Sequence, residues 1–424
     1  MSETNQSRPG RLPAQVILIL VISATIVSLS MGLRQSLGLF LPPLKADLAI
    51  SATTFGFGMA LQNIVWGIGQ PIFGMFGDRF GARPVLLASA SIYVIGLILM
   101  SYTGAESFLG LDLGMGALVG LGVAGTGYGV LIGTVSKAVP PERRNQVVGL
   151  VAATGSLATF VLAPLGQYFI ANLGWHSALL IFAGVAASMG ALAVFLQPEA
   201  SESVPDAGGS TEKFSAGGAV MEAFRHRGFV TMTVAFFACG FQLMFITTHL
   251  AQFLAICGVA SSVGANAIGV IGLSNAAGSY FFGVMGGRYS QKRLLASIYL
   301  LRTFAIVSFL AFPVTPITTL LFAAAMGFLW LGVVPLVSGL IRKLFGLRYF
   351  STLFGLAFFS HQVGGFLGSW LGGLSYDLTG SYSMAWLAMV LIGLGATVVQ
   401  WAMDDEVAPG APSHERQLAQ AVPA

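Results

Sequence analysis

Residues 74–83, GMFGDRFGAR, join two long apolar runs, and a weaker copy, GVMGGRYSQKR at 283–293, joins two more in the second half of the chain. Glycine allows a tight turn and close helix approach. Asp78 is suited to pair with basic residues or with a helix N-terminus. The echo continues at a fixed offset of 206 residues: Gly149-Leu150 matches Gly355-Leu356, and Leu165-Gly166 matches Leu371-Gly372. The chain therefore reads as two copies of one helical unit.

Working outward from these loops, the apolar runs fall at 14–41, 53–76, 84–103, 111–136, 146–171 and 175–196, then at 228–256, 264–286, 294–312, 316–340, 351–374 and 382–403. A helix needs roughly 20 apolar residues to cross a bilayer core. The expected fold is an all-α polytopic membrane protein with 12 transmembrane helices in two six-helix bundles, 14–196 and 228–403. A tail at 1–13, a Ser-, Glu-, Gly- and Pro-rich linker at 197–227 and a tail at 404–424 complete the chain.

Composition agrees with this layout. Hydrophobic residues make up 55% of 424 positions and charged residues 8%, a balance foreign to a soluble domain of this length. The net charge of +4 comes from basic residues between apolar runs, which read as topology signals rather than a nucleic-acid surface. Seventeen Lys and Arg lie on the side shared by both termini, and Lys45 alone lies on the other. Both termini are expected in the cytoplasm. Cys239 and Cys257 share one apolar run about five helical turns apart, which precludes a bridge within a continuous helix.

Gly74, Gly77, Asp78, Arg79, Gly81 and Arg83 resemble the cytoplasmic loop motif between helices 2 and 3 of the major facilitator superfamily, and Gly283, Gly287 and Arg288 resemble its degenerate second copy. This resemblance implies a transporter, with Gly74, Asp78, Arg79, Gly81, Arg83 and Arg288 as a conformational latch. A narrower resemblance, to the bacterial monocarboxylate-transporter-like and oxalate/formate-antiporter-like branch, rests on the glycine ladder of 120–129 around Tyr128 and on FGLRYFSTLFG at 345–355. That branch often carries an arginine in helix 8. Here the helix reads GLSNAAGSYFFG, with Asn275 and Ser279 where charges stand in relatives.

The missing charge has a counterpart in run 1, where residues 31–44 read MGLRQSLGLFLPPL. A cation at such depth is a functional-site candidate whose partner must be found. All 16 acidic residues fall in loops, tails or helix ends. Arg34 can therefore meet an anionic substrate, whose carboxylate suits the guanidinium fork. It can equally tie helices together through Gln62 or Asn63. Arg302, about two turns from the cytoplasmic end of run 9, can snorkel, and its expected role is structural.

Gln62, Trp66 and Gln70 recur at helical spacing in run 2 beside Asn63, as lining or as helix glue. Tyr128 can donate to a substrate or pack among glycines. His361 and Gln362 occupy positions that the repeat pairs with Gly155 and Ser156, so the second half has gained polarity there. His361 is the candidate for proton coupling, with a neutral hydrogen-bonded histidine as the other reading. Gln242, Asn275 and Trp330 complete the expected lining. His249 and His176 are expected to be structural or solvent-facing.

These readings give a secondary transporter of a small organic anion, favouring a carboxylate, by proton symport or anion exchange. The alternative is efflux of amphipathic drugs or uptake of a neutral or aromatic nutrient. The expected partners are a small-molecule substrate, the lipid bilayer and protons. No nucleic acid, cofactor, metal or enzymatic constellation is expected, and the protein is expected as a monomer in the bacterial inner membrane.

Overall fold

The computed structural model describes residues 13–104, 108–139, 154–196, 216–346 and 350–406, and all regular structure among them is helical. The first half contains α1 (Ala14–Ser36), α2 (Leu41–Leu48), α3 (Ala52–Phe80), α4 (Ala82–Ser101), α5 (Val119–Thr126), α6 (Tyr128–Ala138) and α7 (Leu157–Val194). A short α8 (Ala216–Arg225) precedes α9 (Arg227–Ile256), α10 (Ser261–Gly286), α11 (Gln291–Ala311), α12 (Pro316–Phe328), α13 (Val333–Phe345), α14 (Phe350–Thr379) and α15 (Ser383–Trp401). Among the described residues, nine helices are long and apolar enough to cross a membrane.

Several apolar runs are less continuous than their composition implies. Run 1 is α1, a tight 3₁₀ turn at Leu37–Phe40, and α2. Run 4 begins as an overwide π-helical stretch, Phe108–Leu118, and breaks at Gly127, whose backbone is extended at φ −84° and ψ −163°. Run 10, expected as 316–340, is two helices separated at residues 329–332 and extends to Phe345. α7 contains Gly174 at φ +80°, a left-handed conformation that turns the chain between runs 5 and 6. Breaks of this kind free backbone carbonyls and amides inside an apolar bundle, which other groups must then satisfy.

Two hydrophobic cores match the two halves. One gathers Ile22, Phe40, Phe55, Tyr93 and Phe182. The other gathers Phe229, Phe245, Tyr299, Trp330 and Trp386. The glycine ladder serves the first core: a Cβ on Gly120 would lie 2.9 Å from the Gln62 carbonyl oxygen, and one on Gly122 would lie 2.6 Å from Tyr93 Cβ.

The halves are clasped at the distal face, opposite the one on which α1 begins and α15 ends. There Asp377 of α14 accepts from the backbone N–H of Ala52 at 3.2 Å and of Thr53 at 2.7 Å, at the N-terminus of α3. Lys45 of α2 stands 4.2 Å from the Tyr376 ring centroid. Just below, Gly38 lets the chain run against α9, since a Cβ there would sit 1.8 Å from the Thr247 carbonyl oxygen.

The loop between α3 and α4 turns at Gly81, with φ +82°, as its motif predicts. Close helix approach occurs at Gly77, where a Cβ would meet Val130 at 3.3 Å, whereas Gly74 faces open space. Arg79 lies 5.1 Å from the Phe80 ring centroid, and Arg288 is exposed. The Asp78 side chain lies outside the described residues. Cys239 and Cys257 are both free thiols.

Candidate functional site

Arg34 lies just before a change of helical pitch. It stands in the last turn of α1, and its carbonyl accepts from the N–H of Leu37 as the chain tightens toward Phe40. The C-terminal end of a helix favours a cation. The residue is 4% exposed. Nη2 donates to Asn63 Oδ1 and to Met244 Sδ, the latter at 3.1 Å. The guanidinium carbon lies 4.6 Å from the Trp66 ring centroid, and the phenols of Tyr93 and Tyr128 are within electrostatic reach. Among the described residues no carboxylate pairs with it, and Nε has no hydrogen-bond partner.

Each neighbour is held in place. Asn63 Nδ2 donates to the Met59 carbonyl at 2.8 Å, which turns Oδ1 toward Arg34. Trp66 packs edge-to-face on Phe358 of α14, ring centroids 5.4 Å apart, and its Nε1 has no partner. A Cβ on Gly127, at the break, would lie 2.6 Å from the Val123 carbonyl oxygen and in ordinary contact with Met31 Cε at 3.5 Å and Trp66 Nε1 at 3.7 Å. Gly155 is similarly required by Tyr128, whose hydroxyl would lie 2.4 Å from a Cβ at that position.

From the second half, Gln362 donates through Nε2 to the Asn63 carbonyl at 3.0 Å, and its Oε1 is 3.1 Å from His361 Nδ1. The imidazole stacks on Phe358 at 5.7 Å between centroids and leans on Phe236 at 4.9 Å. The structure thus gathers Arg34, Asn63, Trp66 and Tyr128 from the first half with Met244, His361 and Gln362 from the second. A buried cation with an unused N–H, an indole N–H and amides but no internal counter-ion is equipped to receive an anion.

Other expected lining residues are engaged elsewhere. Gln62 Nε2 donates to the Met115 carbonyl at 3.1 Å, so the helical stripe in α3 is divided between two neighbours. Gln242 donates to the Met389 carbonyl at 3.1 Å, inside the second bundle. Asn275 Nδ2 donates to Ser156 Oγ at 2.5 Å and its Oδ1 accepts from Leu331 N at 2.9 Å, joining α10 to the other half and to the break in run 10. Trp330 is buried within that break and in the second core.

Arg302 does not snorkel. It is fully buried, and its Nε and Nη2 donate to the Leu329 carbonyl at 3.0 and 2.5 Å, with Nη2 also reaching the Trp330 carbonyl. The end of α12 offers carbonyls without helical partners, and the guanidinium takes them. His249 is buried between the Ser369 carbonyl at 2.6 Å and the Tyr382 hydroxyl at 3.2 Å, while His176 is exposed.

Met244, Met31 and Tyr93 were not visible as site residues in the sequence. An apolar thioether in an apolar run gives no signal. Gly127 stood in the glycine ladder, but nothing in the sequence marked it as the member at which the helix breaks.

Comparison with known proteins places this architecture. The family model of the Major Facilitator Superfamily matches residues 20–369. The chain is 28% identical over 367 residues to monocarboxylate transporter 11 of Mus musculus, covering 85% of this chain and 80% of that protein. It is 26% identical over 389 residues to monocarboxylate transporter 13 of Rattus norvegicus, covering 90% and 88%. Its fold is similar, at TM-score 0.75 and 15% identity, to a bacterial homologue of the human lysosomal transporter Spinster in an inward-facing, unoccupied conformation, over 98% of this chain and 100% of that one. The chain belongs to the major facilitator superfamily.

Proposed function

We propose that this transporter moves a small organic anion, of the carboxylate class, by alternating access between two bundles of six membrane-spanning helices, with both termini cytoplasmic. The twelve-span layout is supported by the nine apolar helices, by α3 and α14, which are 29 and 30 residues long, and by the turn at Gly174 that divides α7. The orientation is supported by the excess of Lys and Arg in loops on the side of the termini. A bacterial inner membrane suits this topology.

One observation carries the substrate class: Arg34 is buried at the meeting of the halves, held by an amide, a thioether and an aromatic face, with an unpartnered Nε. An uncompensated charge in such a place is costly, and an anionic substrate removes that cost while bound. The names of the monocarboxylate-transporter relatives agree with this chemistry. Proton symport through His361 is the favoured coupling, with anion exchange as the other mode.

Reconstituted vesicles test the reading. Wild type takes up labelled lactate or another member of a small-carboxylate panel; Arg34→Gln loses at least about 100-fold of that rate, and Arg34→Lys retains part of it. Uptake undiminished in Arg34→Gln contradicts the proposal.

A further inference from the structure

His361 and Arg34 are linked across the two halves through Gln362 and Asn63, whose backbone carbonyl meets Gln362 and whose side chain meets Arg34. His361 Nδ1 meets Gln362 Oε1 at 3.1 Å, Gln362 Nε2 donates to the Asn63 carbonyl at 3.0 Å, and Asn63 Oδ1 accepts from Arg34. Met244 closes the path, since its sulfur takes the same Arg34 nitrogen from α9. The chain has a direction. A backbone carbonyl can only accept, so Gln362 must present its NH₂ to Asn63 and its oxygen to the histidine. His361 therefore carries a proton on Nδ1 in its neutral form, and Nε2 is the nitrogen that gains or loses one.

We infer that Gln362 is a positioning residue that couples protonation of His361 to occupancy of Arg34 by the anion, an inference that rests on the carboxylate reading above. A protonated imidazole is a stronger, charge-assisted donor to Gln362 Oε1. It draws the amide toward α14, and with it the α3 backbone at Asn63, whose side chain orients Arg34. The groups facing His361 come from α9, α11 and α14 and supply no anion. Cys239 of α9 interacts with the imidazole and with Arg302 of α11, and Tyr299 of α11 stands beyond the thiol. None of these is a carboxylate, and Phe236 and Phe358 cover the ring.

The test uses full-length protein, with lactate as the probe, or whichever small carboxylate stabilises the wild type most. Binding is followed by thermal stabilisation from pH 5.5 to 8, and transport is followed in vesicles both with an imposed proton gradient and as anion-for-anion exchange. In Gln362→Met the expected result is weaker lactate binding at pH 7, with anion-for-anion exchange reduced less than proton-driven accumulation. The pH dependence of binding is flattened and proton-driven accumulation falls at least tenfold. His361→Gln has the same phenotype, and the double variant is no worse than either single one, as for residues acting in one path. Gln362→Leu, which likewise removes both amide contacts without adding a charge, gives the same loss should the Met variant not purify.

Wild-type pH dependence surviving in Gln362→Met or Gln362→Leu, or additive losses in the double variant, overturns the coupling while leaving the anion site standing. Failure of every carboxylate to stabilise the wild type removes the anion site, and the coupling with it.

Discussion

Arg34 lies with its guanidinium carbon 4.6 Å from the centre of the Trp66 ring, and both groups keep an N–H without a partner, Nε of the arginine and Nε1 of the indole. A cation over an aromatic face is stabilised by about 0.5–2 kcal/mol. An arriving carboxylate competes for the same charge and offers acceptors to the idle donors. Binding therefore changes the environment of Trp66. The intrinsic fluorescence change on adding substrate is expected to be lost in Trp66→Phe, with affinity reduced less than tenfold. An undiminished signal in that variant would place the anion elsewhere.

Asn63 offers a complementary experiment, because its Oδ1 is the present partner of Arg34. Asn63→Asp supplies an internal carboxylate of nearly the same shape. A hydrogen bond to a charged group contributes about 1.5–3 kcal/mol, and each 1.4 kcal/mol corresponds to tenfold in affinity. Substrate affinity is expected to fall about 10- to 100-fold while the ligand-free protein melts at a higher temperature, both read by thermal unfolding.

The distal clasp predicts a conformational effect. Asp377 caps α3 from the opposite half, with 2.7 Å to Thr53 N, and an anion at a helix N-terminus contributes about 0.3–1 kcal/mol, up to about 2 in favourable geometry. Asp377→Asn is expected to shift the population toward a state with the distal face open by about two- to fivefold. Spin labels at Asn172 and Leu378, with the native cysteines replaced, should report a larger share of long distances.

Arg302 predicts instability rather than altered recognition. Its guanidinium supplies the donors for the Leu329 and Trp330 carbonyls where run 10 breaks. Leaving a buried acceptor unsatisfied costs about 1–3 kcal/mol. Arg302→Met should lower the melting temperature and the yield of folded protein, while the KM of the fraction that folds stays within about threefold of wild type.

At the terminal face, Asp405 binds Lys343 at 2.7 Å and lies 3.7 Å from Lys292. Partial burial pushes its carboxyl up, but the hydrogen bond and charge of Lys343, with the charge of Lys292, outweigh this and hold it below the ordinary carboxylate value. A carboxyl whose folded value is lowered stabilises the protein above its unfolded value of about 3.9 and loses that contribution as pH falls through the folded one. Asp405→Asn should lower stability at pH 7 by no more than about 1 kcal/mol, and the difference should shrink below pH 4.

The sequence revealed the all-helical membrane fold because lipid imposes long apolar runs, and the two-copy reading rested on matching glycines such as those at 149 and 355. Arg34 stood out for the same reason: one charge in a long uncharged run needs a cause. What the runs concealed were their interruptions. The break at residues 329–332 adds no charge and little polarity, so nothing in the composition distinguished it from continuous helix, and the need for Arg302 beside it was hidden as well. The amide stripe left lining and helix glue both open because spacing along α3 says which residues share a face but not which neighbour meets each one; Gln62 and Asn63 are adjacent in sequence and serve different helices. Met244 comes from the opposite half, and only the tertiary structure brings its sulfur to Arg34.

The most direct test of the central claim is thermal stabilisation of detergent-purified protein across a panel of small carboxylates, neutral aromatic nutrients and cationic drugs, in wild type and Arg34→Gln. A bound ligand raises the melting temperature by mass action. The account predicts that at least one carboxylate stabilises the wild type and leaves the variant unchanged. Stabilisation by neutral or cationic compounds alone, persisting in Arg34→Gln, would contradict it and make Arg34 a structural tie between helices.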